Sequence, residues 1–172
     1  MMSPDYELAR AEARRVLNDF GVTEPPIDPE EIAESMGVNV IFVSFDHEIS
    51  KKISGFIDFD DQDDSLARIV VNKNMSPKRM NFTIAHELGH FLMHQEYARG
   101  NEYQILPRSN HHASDKPKEE KEADLFAAEL IAPKQLLLRY KKIASLPELS
   151  SIFVASEEML KWRIHNLERF GN

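Results

Sequence analysis

Residues 82–94 read FTIAHELGHFLMH and place ionisable side chains among residues typical of a protein core. Apolar residues fall on nearly every side of a helix built from this segment, so we predict a central, buried helix that begins near Ser76. His86, Glu87 and His90 would then be buried with it. Because burial of ionisable groups costs free energy unless a partner compensates for it, the fold must supply partners around this helix.

His86 and His90 are four residues apart and therefore share one face of a helix, from which both imidazoles can reach one metal ion. Glu87 is rotated from His86 by about 100° and can contact a water on that ion without being a ligand. This H-E-x-x-H arrangement is typical of zinc proteases, in which the glutamate takes the proton of the attacking water. We predict His86 and His90 as metal ligands and Glu87 as the catalytic base; the alternative is two core histidines with local hydrogen bonds. Gly89, a poor helix former, indicates that another backbone or a substrate comes close at this point.

A catalytic zinc needs a third protein ligand and one open coordination position. His94 is disfavoured as that ligand, because on a straight helix it lies about 12 Å from His86 along the axis. We expect His94 to support a ligand or to pack in the interior.

Acidic residues on the next long helix, which is predicted to end at Pro133, supply better candidates for the third ligand. Glu122 lies among alanines that let two helices approach closely, and we predict it as the ligand, with Glu119 as the alternative. Asp124 either orients a ligand imidazole through its second nitrogen or is a solvated helix carboxylate. The result is a His/His/Glu site with zinc as the default metal, for which manganese or iron could substitute.

Composition and charge restrict the class of protein further. The chain has 172 residues, 42% of them hydrophobic, which suits one domain with a sizeable core. A net charge of −8 argues against direct nucleic-acid binding, and the lack of cysteine rules out disulfides and thiolate metal sites. No apolar run approaches the roughly 18–20 residues that span a bilayer, and the charged N-terminus is not typical of a signal peptide. We therefore expect a soluble cytoplasmic protein without membrane contact, whose oligomeric state the sequence leaves open.

Local patterns predict an α+β fold in which a small, mainly antiparallel three-stranded sheet packs against a bundle of helices that includes the H-E-x-x-H helix. The first strand, VNVIFVSF, is apolar on both faces and is predicted to be buried. Capping residues and glycines predict two helices at the start of the chain, the first capped by Ser3 and the second over 28–37. Runs of β-branched residues predict three strands that form a meander, at 38–45, 54–60 and 66–73.

The second half of the chain is predicted to be helical apart from one long polar loop over 96–117. The tail is expected to form two helices, with Ser156 capping the second, that pack through apolar residues, namely Phe153, Leu160, Trp162 and Leu167. We expect a single metallopeptidase domain over 1–172, made of an N-terminal helix (1–24), a catalytic core (25–140) and a C-terminal helical subdomain (145–172).

Two separated motifs resemble the ImmA/IrrE family of metallopeptidases. RMNFTIAHELGHFLMH fits the family pattern R-x-x-F-T-x-A-H-E-x-G-H, and EKEADLFAAELIAP fits an E-A-N or E-A-D run that leads into F-A-A-x-L-L-x-P. A third segment, FVASEEMLKWRIHNL, extends the similarity to roughly residues 30–170. The departures are small, with Asp124 where asparagine is common and Ile131–Ala132 where leucine and methionine are common.

This resemblance implies a zincin-like core with His86 and His90 as zinc ligands, Glu87 as general base and a downstream glutamate, best aligned with Glu122, as third ligand. It also implies a zinc-dependent endopeptidase that cleaves a helix-turn-helix transcriptional repressor and so induces phage, mobile-element or stress genes. Because the catalytic fold begins close to residue 25, we expect the repressor to be a separate polypeptide. The alternative is a non-proteolytic anti-repressor or antitoxin-like binding module that uses the same fold with a structural metal. The negative net charge suits a basic partner, although solubility explains it equally well.

Two other segments carry weaker signals. DFDDQDD at 58–64 lacks the glycine of a calcium-binding loop and is predicted to be a polar hairpin turn. One residue of the long loop could donate a hydrogen bond to the oxyanion of the reaction, and the candidates are Tyr97, Tyr103, His111 and His112.

Overall fold

A computed structural model of the protein describes residues 3–59, 66–100 and 116–170. Residues 60–64 of the predicted turn, and Tyr103, His111 and His112, lie outside these described residues. Within the described ranges, no helix is long and apolar enough to cross a bilayer. The elements follow in the order α1 (Tyr6–Asp19), α2 (Pro29–Ser35), β1 (Val38–Val43), α3 (His47–Lys52), β2 (Gly55–Asp58), β3 (Ala67–Asn72), α4 (Pro77–Met93), α5 (Gln95–Arg99), α6 (Lys118–Ile131), α7 (Lys134–Tyr140), α8 (Leu146–Ile152) and α9 (Glu157–Phe170).

The fold is α+β, with a small three-stranded sheet packed against helices, as predicted, but the strand order differs from the predicted meander. The sheet has the order β1-β3-β2, in which β1 is parallel to β3 and β2 is antiparallel to β3. Helix α3, which the local sequence patterns did not predict, separates β1 from β2 and takes the chain to the far side of β3. Asp46 begins this helix, since its carboxylate accepts the N–H groups of Glu48 and Ile49.

The strand order decides which strand is buried. β3 lies in the middle, and its Ile69 and Val71 are fully buried. β1 lies at an edge, where Ile41 and Phe42 are each 38% exposed, so the prediction of a strand buried on both faces is wrong. Its apolar sequence could not reveal this, because burial of a strand depends on its neighbours rather than on its own residues.

Most predicted helix boundaries are confirmed. Asp28, Ser76 and Ser156 each accept a backbone N–H from the first turn of their helix, as expected for capping residues. Helix α1 is capped by Asp5, and not by Ser3 as predicted. The predicted loop over 96–117 begins with a short helix, α5, which extends the chain past the end of α4.

The C-terminal helix α9 contacts α6. Phe153 and Leu160 are fully buried and Leu167 is nearly so, but Trp162 is half exposed, which corrects its predicted place in the core. A buried ion pair between Arg163 of α9 and Glu129 of α6 also joins the two helices. α1 packs against the same helix, with Ala9 buried between them.

Close contact between α4 and α6 depends on Gly89. A Cβ atom at this position would lie 3.0 Å from the Phe126 ring and 3.4 Å from the Cα of Ala123, both on α6. The close approach predicted from Gly89 is therefore confirmed, and what approaches is the backbone of α6. This contact brings the acidic first turns of α6 over the imidazoles of α4.

Contact between α4 and the sheet depends on Gly55. A Cβ atom on Gly55 would lie 2.6 Å from the carbonyl oxygen of Val70 and 2.7 Å from Cγ2 of Thr83, a buried residue of α4. Beside it, the Arg79 guanidinium donates to Oγ of Ser54 at 2.9 and 3.1 Å. α4 is thus fixed against the start of β2.

We expect Gly55→Ala to lower the free energy of unfolding by about 1–3 kcal/mol, because the new methyl group has no room between strand and helix. Urea denaturation would measure the loss. In the double variant Gly55→Ala/Thr83→Ser, removal of Cγ2 should restore part of it, while the contact with the Val70 carbonyl remains. Equal stability of Gly55→Ala and the wild type would show that α4 does not rest on β2 in this way.

Candidate metal centre

α4 presents two imidazoles to one point in the interior. His86 and His90 are 2% and 0% exposed, and their Nε2 atoms are 3.1 Å apart. The rings meet edge to face, with an interplanar angle of 75°. The shared helix face predicted from their four-residue spacing is therefore present.

Glu120, from the first turn of α6, completes the group. Its two carboxylate oxygens lie 3.2 Å from Nε2 of His90 and 3.3 Å from Nε2 of His86. Among the described residues, His86, His90 and Glu120 form a buried cluster whose ligand atoms are close enough to hold one metal ion.

The structure brings Glu120, and not the predicted Glu122, to the imidazoles. Two residues along an α-helix are rotated by about 200°, so the carboxylates of Glu120 and Glu122 leave α6 in nearly opposite directions. The carboxylate of Glu119, the alternative, lies beside Lys118 at 3.8 Å. The sequence did contain a signal for Glu120: it stands four residues before Asp124 and so shares the helix face of the residue expected to orient a ligand.

The contact predicted for Asp124 is present. Its Oδ1 lies 2.9 Å from Nδ1 of His86, and Lys116 donates to its Oδ2 at 2.7 Å. Burial alone would raise the pKa of Asp124, but its contacts with His86 and Lys116 outweigh burial and hold this pKa below its usual value. The ionised carboxylate accepts the Nδ1 proton of His86, so the lone pair of Nε2 faces the cluster.

His94 supports the other imidazole, as predicted for a residue that is not itself a ligand. Its Nδ1 lies 3.3 Å from Nδ1 of His90, and its Nε2 lies 2.6 Å from Oε2 of Glu122. The Glu122 carboxylate is thus hydrogen-bonded to His94 and does not contact His86 or His90 directly.

The distances and charges of the cluster fit a divalent cation. Tetrahedral ligands with bonds of about 2.0–2.1 Å are about 3.3–3.4 Å apart. Here the two Nε2 atoms are 3.1 Å apart, and they lie 3.2 and 3.3 Å from two different oxygens of the Glu120 carboxylate. Burial lowers the pKa of His90, which favours the neutral imidazole that a metal requires. Two nitrogen lone pairs and an anionic oxygen that face one buried point repel one another unless a cation lies between them.

Glu87 and Tyr97 lie next to this cluster. Glu87 is completely buried, and its negative charge acts on His90. The hydroxyl of Tyr97 donates to Oε1 of Glu120 at 3.2 Å, and its ring centre is 5.6 Å from that of His90. Tyr97 is the one predicted oxyanion donor that lies among the described residues, and its hydroxyl is at the cluster. It is held there by the helix α5 and not by a loop.

A cleft with a volume of about 980 Å³ opens beside Asp124, between α6 and the C-terminal helix. Its walls include apolar and basic side chains, among them Phe82, Met159, Trp162, Lys116 and Lys121. The cleft is large enough to receive side chains of a polypeptide.

Comparison with known proteins agrees with this geometry. The sequence model of the Peptidase_M78 family, described as the IrrE N-terminal-like domain, matches residues 33–165. An "Uncharacterized immunity region protein 2" of Bacillus phage phi105 is 30% identical over 136 residues, which cover 79% of this chain and 75% of the phage protein. The solved structure of a "Mycobacterium tuberculosis transcriptional regulator" has the same fold, with a TM-score of 0.63 at 16% identity; the match covers 95% of this chain and 48% of that one. The family match and the phage relative together show that this protein belongs to the Peptidase_M78 family of IrrE N-terminal-like metallopeptidases, in agreement with the resemblance of its motifs to ImmA/IrrE proteins.

Proposed function

We propose that this protein is a zinc-dependent endopeptidase in which His86, His90 and Glu120 bind the metal and Glu87 is the general base. The observation that carries the proposal is the convergence of two buried Nε2 atoms and a buried carboxylate in a chain of a metallopeptidase family. Two nitrogen ligands and one carboxylate are a donor set typical of catalytic zinc, and manganese or iron could take the same place.

The chemistry follows from the positions of the side chains. The bound ion supplies Lewis acidity toward the scissile carbonyl and the attacking water. Glu87 accepts the proton of that water and passes it to the leaving amine. Tyr97 holds the Glu120 carboxylate in the resting enzyme and is the candidate donor to the oxyanion, since its hydroxyl already lies at the cluster. Asp124 keeps His86 in the tautomer that binds metal.

The substrate we propose is a separate helix-turn-helix repressor in the cytoplasm, whose cleavage induces phage, mobile-element or stress genes. The name of the phage relative places that protein in an immunity region, and the relative of known structure is titled a transcriptional regulator. Both names support a regulatory context. The net charge of −8 is compatible with a basic DNA-binding protein as partner and disfavours direct binding to nucleic acid.

The metal site can be tested without a substrate. We expect Glu120→Gln to weaken Zn²⁺ binding by more than about 100-fold. Loss of a residue that only supports a ligand typically weakens metal binding by about 10–100-fold. The matched control is Glu119→Gln, one residue away and outside the cluster, which should bind Zn²⁺ like the wild type. Metal content after dialysis and competition with a chromophoric chelator would measure both. A greater loss in Glu119→Gln than in Glu120→Gln would overturn the choice of ligand.

Cleavage can be tested by co-expression with a helix-turn-helix repressor encoded beside the gene. We expect Glu87→Gln to keep its metal and to slow cleavage by about 10²–10⁴-fold, the usual contribution of a general base. Glu96→Gln, which changes an exposed glutamate on α5, is the control and should cleave normally. If Glu87→Gln relieved repression as well as the wild type does, the protein would act as a non-proteolytic anti-repressor.

A further inference from the structure

A chain of three contacts, the first two buried and the third partly buried, leads from the proposed metal ligand His90 to the start of α1. Nδ1 of His90 lies 3.3 Å from Nδ1 of His94, and Nε2 of His94 lies 2.6 Å from Oε2 of Glu122. The other oxygen of Glu122 accepts the backbone N–H of Asp5 at 2.6 Å. His94 and Glu122 are 8% and 4% exposed, so water competes little for the first two contacts.

Only one placement of the protons satisfies all three hydrogen bonds with neutral imidazoles. The Glu122 carboxylate has no proton to give, so it accepts from the N–H of Asp5 on one side and from Nε2–H of His94 on the other. Nδ1 of His94 is then an acceptor, and Nδ1 of His90 must be the donor. Nε2 of His90 is left with its lone pair directed at Glu120 and His86, which is the tautomer that binds a metal.

The last contact ties this arrangement to a distant part of the sequence. Asp5 begins α1: its carboxylate accepts the N–H of Leu8 at 2.9 Å while its own N–H is donated to Glu122. The two residues of this contact are 117 positions apart in the chain. A shift of the first turn of α1 would therefore withdraw one of the two hydrogen bonds that hold the Glu122 carboxylate.

We propose that His94 and Glu122 are positioning residues that fix the proton of His90 on Nδ1, and that the N–H of Asp5 makes this arrangement depend on the position of α1. The inference rests on the proposed metal site and extends it. Glu122 contacts His94 rather than the metal, and the position of α1 against Glu122 affects the affinity for metal.

The proton placement can be read directly in the full-length protein labelled with ¹⁵N-histidine. Long-range ¹H–¹⁵N correlation spectra distinguish the two tautomers of each imidazole. We expect Nε2–H for His94 in the metal-free wild type, and Nδ1–H for His90 together with Nε2–H for His94 in the Zn²⁺-bound protein. Nδ1–H at His94 in either form would overturn the proposal, and the metal-free measurement depends neither on metal binding nor on cleavage.

Metal affinity tests the link between the residues. Glutamine at position 122 can accept only one of the two hydrogen bonds, because its amide nitrogen is a donor, so Glu122→Gln should weaken Zn²⁺ binding by about 10–100-fold. It should also disturb the absorption spectrum of bound Co²⁺, which reports ligand geometry. An unchanged affinity and spectrum in a variant that still melts cooperatively would contradict a positioning role.

Variants of Asp5 test the contribution of its backbone N–H, which donates to Glu122, to metal affinity. Asp5→Ala removes the helix cap but keeps the N–H, whereas Asp5→Pro removes both. We expect Asp5→Ala to lose stability with little change in Zn²⁺ affinity, and Asp5→Pro to bind Zn²⁺ about 2- to 10-fold more weakly than Asp5→Ala, the value of one hydrogen bond. Equal affinities would remove α1 from the proposal. If the wild type itself bound no metal, the proposed function would fail, while the tautomer of His94 would still decide the proton placement.

Discussion

The repulsion between two imidazole lone pairs and a carboxylate, buried at one point between α4 and α6, is the constraint on which the rest of the structure depends. In water these groups would be hydrated, and in the interior they need a cation to balance them. Asp124 on one side and His94 on the other hold the two imidazole rings by their outer nitrogens. Each of these outer residues has a partner of its own, Lys116 for Asp124 and Glu122 for His94.

Helix packing brings the groups together. Glycine at position 89 removes the side chain that would hold α6 away from α4, and glycine at position 55 does the same between β2 and α4. Helical residues other than glycine would be favoured by propensity at position 89, so its presence there reflects the packing. Gly89 therefore serves the site indirectly, by letting the helix that carries the acid approach the helix that carries the imidazoles, while Gly55 lets α4 rest against the sheet.

The acidic residues of α6 show how neighbouring side chains of one type take different roles. Glu120 faces the imidazoles, Asp124 lies on the same side one turn later and contacts His86, and Glu122 is rotated away and contacts His94. Each residue is a carboxylate in a short acidic segment, and their chemistry alone does not distinguish them. The direction in which each leaves the helix decides whether it faces the proposed metal or supports a ligand.

The sequence by itself determined the features that depend on local spacing. These are a buried helix with His86 and His90 on one face, Glu87 beside them, most of the helix caps and the three apolar strands, because each follows from the period of a helix or strand and from residues within one or two turns. Only the tertiary structure decided that Glu120 rather than Glu122 faces the imidazoles, since that depends on how α6 is rotated against α4. It also decided that β1 pairs in parallel with β3 and lies exposed at an edge, because pairing joins residues that are distant in the chain and no local pattern records the partner.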